Sequence, residues 1–226
     1  MTNWNLSFQQ RNRNLPFDML IVITSPDKID NEGELLNQLF VEGLECLHLR
    51  KPSWTKQEYE SLLKSINSEY KRRVVLHQHH EFASKYNIKG LHLREENRLQ
   101  ISLTELEELK KQLKRNNLTI SSSFHSQEEI EKYENVFDYV FLSPVFDSIS
   151  KQGYLRNDEF GVVNDEWKSK IKSKIIALGG IDASNIHKTK ELGFDGSAVL
   201  GAIWQESRLV IENYKNLHKL FINSNI

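Results

Sequence analysis

Short apolar runs alternate with longer amphipathic stretches along almost the whole chain, and this alternation restricts the fold more than any other feature. Strand-like runs are read at Met19–Thr24, Cys46–Arg50, Val74–His77, Gly90–Leu93, Leu118–Ser123, Tyr139–Leu142, Lys174–Leu178 and Asp195–Leu200. Helical patterns fall between them at Gly33–Glu42, Lys56–Asn67, Glu81–Tyr86, Leu103–Lys114, Gln127–Tyr133, Asn164–Ile171, Ala183–Leu192 and Leu209–Phe221. Ser126 and Asp182 stand where helix caps are needed. Eight strands alternating with helices, one unit per about 28 residues, predict an α/β fold, the (β/α)8 TIM barrel. An open, doubly wound sheet is the structural alternative.

The segment from Ile175 to Trp204 adds a ligand class. A buried strand runs into Gly179-Gly180, and a second buried strand ends at Leu200-Gly201. Two adjacent strand-to-helix turns with bare backbone N–H groups make a phosphate cup. The candidate phosphate-binding residues are therefore Gly179, Gly180, Leu200 and Gly201, in the place where strands seven and eight of such barrels bind phosphate.

The chain has 226 residues, 38% hydrophobic and 27% charged, which suits one barrel with a sizeable core. Residues 1–18 read as an N-terminal extension, and residues 19–226 as a single domain. A net charge of −1 gives no global field toward nucleic acid or a membrane surface. No apolar run is long enough to span a bilayer, and the first residues lack a signal-peptide core. The single cysteine, Cys46, reads as a buried strand thiol, and a reducing, cytoplasmic location is expected. The expected partner is a small-molecule phosphate, with homo-oligomerisation left open.

Catalytic groups of a parallel barrel come from the C-terminal ends of its strands. Those ends carry His48-Leu-Arg50, His77-Gln78, Leu91-His92-Leu93 and Ser123-Phe-His125. Four of the eight histidines thus occupy four consecutive strand ends. Arg50 is suited to clamp an anion or to pair with a rim carboxylate. Lys151 lies on a long loop after the sixth strand, where it could close over a phosphate or stay exposed. The run His77-Gln-His-His80 admits a metal, but a polar helix start is the stronger reading, and no metal ligand is assigned.

These residues, taken in order, resemble the thiamine phosphate synthase/TenI superfamily. The matching motifs are His48-Leu-Arg50, Gly90-Leu-His-Leu93, Ser123-Phe-His125-Ser, Asp138-Tyr-Val-Phe-Leu-Ser-Pro144, Ser150-Lys151-x-Gly153, Ala177-Leu-Gly-Gly180-Ile and Gly196-Ser-Ala-Val-Leu-Gly-Ala-Ile203. The resemblance implies a barrel that binds a carboxythiazole ethyl phosphate. In the synthase branch a pyrimidine diphosphate couples to the thiazole with loss of pyrophosphate, and magnesium helps hold the diphosphate. In the TenI branch a histidine moves a proton and aromatises the thiazole. The resemblance places that acid/base at His125.

Departures from the synthase pattern separate the branches. Its Gln-x-Arg-x-Lys motif is here His48, Arg50 and Pro52, and alternation sends the adjacent Lys51 to the other face. Its Asn-Asp-Arg motif is His77, Gln78 and His79, and the aspartate after strand four is Asn97. Both expected magnesium carboxylates are amides, although Glu95 or Glu96 could replace one. The expectation is a TenI-like thiazole tautomerase with His125 as acid/base. The phosphate cup holds the substrate with Lys151, and His48, Arg50, His77, His92 and Ser123 line its pocket. No cofactor is expected, with magnesium only for a synthase. The alternatives are a synthase with a rearranged diphosphate site and a non-catalytic phosphate-ligand-binding or regulatory relative.

Overall fold

The structure, a computed structural model, describes residues 19–133, 135–147 and 163–223. The proposed extension 1–18 and the lid residue Lys151 lie outside the described residues. Eight parallel strands close into a barrel in sequence order, β1 (Met19–Ile23), β2 (Cys46–Leu49), β3 (Val74–Leu76), β4 (Gly90–Leu93), β5 (Thr119–Phe124), β6 (Tyr139–Leu142), β7 (Lys174–Leu178) and β8 (Gly196–Val199). Pairing of β8 with β1, with Leu20 beside Ser197 and Ile21 beside Ala198, removes both sheet edges. The open-sheet alternative is thereby excluded.

Strand parity sorts the side chains. Leu20, Val22, Leu47, Leu49, Val140, Leu142, Ile175 and Ala177 face outward into one large apolar cluster with the helices. Ile21, Ile23, Cys46, Val75, Tyr139, Phe141, Ile176 and Ala198 form a second cluster inside the barrel. The same alternation carries Arg50, His77, Ser123, His125, Ser143, Leu178 and Leu200 to the mouth as inward positions. It sends Lys51 outward, as expected. Lys51 is fully buried there, with Nζ 2.6 Å from a Glu32 carboxylate oxygen and 2.7 Å from the Asp27 carbonyl.

The surrounding helices are α1 (Glu32–Val41), α2 (Lys56–Ser65), α3 (Glu95–Leu99), α4 (Leu103–Arg115), α5 (Gln127–Glu131), α6 (Asp165–Lys170), α7 (Ile186–Glu191), α8 (Gly201–Trp204) and α9 (Val210–Asn223). Reciprocal Thr55–Glu58 and Ser102–Glu105 hydrogen bonds start α2 and α4. The Ser126 hydroxyl accepts from the Glu129 N–H and starts α5 as expected. Asp182 caps a turn instead of α7. Its carboxylate accepts from the Ser184 N–H, and the helix begins only at Ile186. The predicted helix Glu81–Tyr86 is a 3-10 segment, His80–Ser84. Of the two short helices at the barrel mouth, the sequence reading missed α3 and marked only the start of α8, at Gly201. Their few residues carry too little periodicity to register.

At the barrel's opposite end, carboxylates staple neighbouring strands. Asp138 Oδ2 accepts from the Ile120 N–H at 2.8 Å, and Asp195 Oδ2 accepts from the Ile175 N–H at 2.7 Å. Asp195 also pairs with Lys168. Asp195→Ala orphans a strand N–H far from the mouth. It is expected to cost about 1–3 kcal/mol in urea unfolding and to leave ligand affinity at the mouth unchanged.

Candidate active site

A cavity of about 490 Å³ opens at the C-terminal mouth. Its wall includes Arg50, His77, His92, Ser123, His125, Gly179, Gly180, Leu200 and Gly201. The structure therefore gathers every candidate site residue at one cavity except two. Lys151 lies outside the described residues, and His48 is fully buried in the floor and does not line the cavity.

The floor is a layer of hydrogen-bonded imidazoles. His48 Nδ1 lies 2.8 Å from His77 Nε2, and His48 Nε2 lies 2.6 Å from the Tyr139 hydroxyl. His92 bridges the Ser121 and Ser123 hydroxyls at 3.0 and 3.1 Å. The His77 and His92 rings stack with centroids 4.1 Å apart. Burial holds all three histidines neutral, with His92 lowered to about 3 and the other two well below their ordinary value. Ring nitrogens of His48, His77 and His92 lie within 4.8 Å of one another, so these residues have the composition of a site for zinc or a neighbouring transition metal. Both nitrogens of His48 and of His92 are already engaged by hydrogen bonds. Beneath this layer Cys46 is buried and its thiol is pushed up to about 11, so it is inert as a nucleophile.

His125 differs from these three. Its side chain is 56% exposed. Its Nδ1 lies 2.8 Å from the Ser143 carbonyl oxygen. A carbonyl only accepts, so Nδ1 carries the proton and Nε2 keeps its lone pair. The ring is seated from behind by its own backbone, whose N–H donates to Glu129 at 3.2 Å. Glu95 Oε2 stands 3.8 Å from His125 Nε2. Glu95 is in turn 3.8 Å from the buried Arg98 guanidinium, which lies over the Phe124 ring and donates to the Ser123 carbonyl. An imidazole with one nitrogen anchored and the other beside a carboxylate can give and take a proton.

The glycine pair builds the opposite wall. Gly179 and Gly180 have φ of +98° and +64°, a region that L side chains rarely adopt. A Cβ on Gly180 would stand 2.4 Å from the Asp147 carbonyl oxygen and 2.6 Å from that of Phe146. The Asn185 amide donates to the Gly180 carbonyl at 2.8 Å. Leu200 precedes α8, and the Trp204 indole N–H donates to the Ile23 carbonyl at 2.7 Å, which fixes α8 against β1.

Glu95 is the sole acidic residue of the cavity wall among the described residues.

 The sequence reading passed over Arg94 as a wall residue, because it lies one residue past the end of β4 and no motif marks it. The donor set does not fit magnesium. Gln78 Oε1 accepts from the Lys51 N–H at 3.1 Å, Asn97 does not line the cavity, and Glu96 is exposed and turned to Arg94 at 3.7 Å. A lone carboxylate beside two guanidinium groups is a poor site for a hard dication.

Fold and site together define a (β/α)8-barrel protein whose working groups converge on one mouth. The chain matches the thiamine monophosphate synthase family over residues 20–203 and belongs to it. A solved thiamine phosphate pyrophosphorylase from Bacteroides thetaiotaomicron is 33% identical, with a TM-score of 0.68, covering 89% of this chain and 96% of that one. A thiamine-phosphate synthase from Dictyoglomus turgidum is 24% identical over 197 residues, covering 81% of this chain and 84% of its own. A thiamine phosphate pyrophosphorylase from Pyrococcus furiosus, 21% identical with a TM-score of 0.70 over 91% of this chain and 96% of that one, shares the fold.

Two outcomes test this geometry. Gly180→Ala forces a Cβ into the Phe146 and Asp147 carbonyls and is expected to cost about 1–3 kcal/mol, read as a lower urea midpoint. The neutral floor predicts an acid-side loss of stability. The folded pKa of His92 is about 3, against about 6.5 when unfolded. Between those values the unfolded chain binds the extra proton, so stability is full above about pH 6.5 and falls as pH drops. The slope approaches about 1.4 kcal/mol per pH unit for each such histidine. Urea midpoints at pH 7 and pH 5 should therefore differ less for His92→Gln than for the wild type.

Proposed function

We propose that this chain is a thiamine-pathway enzyme that binds a thiazole phosphate at the barrel mouth and shifts a proton on its ring through His125. The observation that carries this reading is the His125 geometry. Nδ1 is held on the Ser143 carbonyl, the residue lines the cavity, and Glu95 stands 3.8 Å from Nε2. In this reading Nε2 removes a proton from one ring position, and Glu95 steadies the imidazolium. The same nitrogen then returns the proton to a second position, which leaves the ring aromatic. Atoms balance without a co-reactant. The turns at Gly179-Gly180 and Leu200-Gly201 offer backbone N–H groups to the phosphate, and Lys151 is proposed to close over it. The neutral histidine floor adds no charge to compete with the base.

A second reading, a thiamine phosphate synthase, is favoured by the comparisons, since the similar proteins carry synthase or pyrophosphorylase names. The donor set of the cavity supports the first reading, and one assay separates the two. Stoichiometric pyrophosphate release from a pyrimidine diphosphate and the thiazole phosphate, with magnesium present, would establish the synthase. Interconversion of thiazole phosphate tautomers, followed by NMR, would establish the isomerase. A ligand-induced rise in melting temperature without either reaction would mark a non-catalytic binder.

His125→Ala is expected to lower the tautomerisation rate by about 10²–10⁴-fold while thiazole phosphate affinity stays within a few-fold of the wild type. An unchanged rate overturns the assignment.

A further inference from the structure

The histidine floor holds more coordinating nitrogen than the proposed proton transfer uses. His48 in β2, His77 just past β3 and His92 in β4 come from three adjacent strands. One ring nitrogen of each lies within 4.8 Å of the others, and all three residues are buried. That burial keeps them neutral, which is the form of imidazole that binds a metal. Two nitrogens bound to one tetrahedral zinc at about 2.0–2.1 Å stand about 3.3–3.4 Å apart. The His48 Nδ1 to His77 Nε2 contact of 2.8 Å is a little shorter than this and the 4.8 Å limit is longer. Ring shifts of about an ångström therefore join the two arrangements.

The hydrogen bonds of the floor hold the rings as a metal needs them. The Tyr139 hydroxyl, 2.6 Å from His48 Nε2, can accept as well as donate. With the His48 proton on Nε2, Nδ1 presents a lone pair toward His77. Ser121 and Ser123 flank the two nitrogens of His92 at 3.0 and 3.1 Å, so either nitrogen can carry the proton and leave the other free. Each change is a choice of tautomer, with no net proton gained or lost. Metal-bound imidazoles keep such an outer partner on the second nitrogen. Three nitrogen donors with no carboxylate among them suit zinc, cobalt, nickel or copper and not magnesium or calcium. His77 and His92 line the cavity, which gives an ion its way in.

We propose that His48, His77 and His92 form a three-imidazole site for zinc or a neighbouring divalent transition metal, with one coordination position open to the cavity. Three protein ligands and an open position are the arrangement of a metal that also meets a small ligand. Loading places positive charge in a floor that is otherwise neutral. The site uses residues other than His125 and needs no turnover, so it stands apart from the tautomerase reading.

Cobalt(II) titration of the untagged, chelator-stripped full chain at neutral pH tests it. One equivalent should bind and give the intense visible bands of a four- or five-coordinate nitrogen site, and one equivalent of zinc should remove them. Azide should shift the bands, because the open position faces the cavity. His77→Gln should abolish them. Tyr139→Phe keeps the ring and removes only the outer partner of His48, and it should weaken cobalt binding by about 10–100-fold. His125→Ala should leave the bands unchanged, which separates this site from the exposed imidazole at the rim. Weak six-coordinate absorption, bands indifferent to azide, or bands that survive His77→Gln overturns the proposal. Loss of the bands in His125→Ala, or wild-type affinity in Tyr139→Phe, does the same. Circular dichroism verifies the fold of each variant, and the wild-type titration decides the question even where His77→Gln does not fold.

Discussion

Closure of the barrel through β8 and β1 is the constraint on which the rest of the molecule depends. Once eight parallel strands are locked in register, every second side chain must point inward. The apolar inward residues Ile21, Val75, Ile176 and Ala198 fill the lower barrel. The next inward positions are polar, and the chain has no lower place to put them. His48, His77 and His92 become a floor, and Arg50, Ser123 and His125 become a wall. A slip of one residue in β2 would bury Arg50 against the helices and bring Lys51 to the mouth.

The four strand-end histidines consequently do two different jobs. Three are sealed by burial and bonded to Tyr139, Ser121, Ser123 and one another. The fourth, His125, directly follows the end of β5, exposed, with only one ring nitrogen committed. The chemistry follows from exposure and from which nitrogen is engaged, not from residue type.

Much of this was legible in the chain. Short apolar runs located all eight strands, and period-two alternation predicted the outward turn of Lys51. The glycine pairs marked the turns that border the cavity. Three features were not legible. The mouth helix α3 is too short to show a period, and of α8 only the start at Gly201 was legible. His48 looked like a wall residue because its strand parity is right, but its depth in the barrel is a matter of stagger between strands. Arg94 carries no motif, and only the folded chain places it on the cavity wall.

The sequence by itself determined the fold class, the outward turn of Lys51 and the family, because those depend on local period and ordered motifs. The tertiary structure alone decided which histidine keeps an open nitrogen, which carboxylate stands near it and which three imidazoles meet in the floor. Those are distances between groups on different strands, and only closure of the barrel sets them.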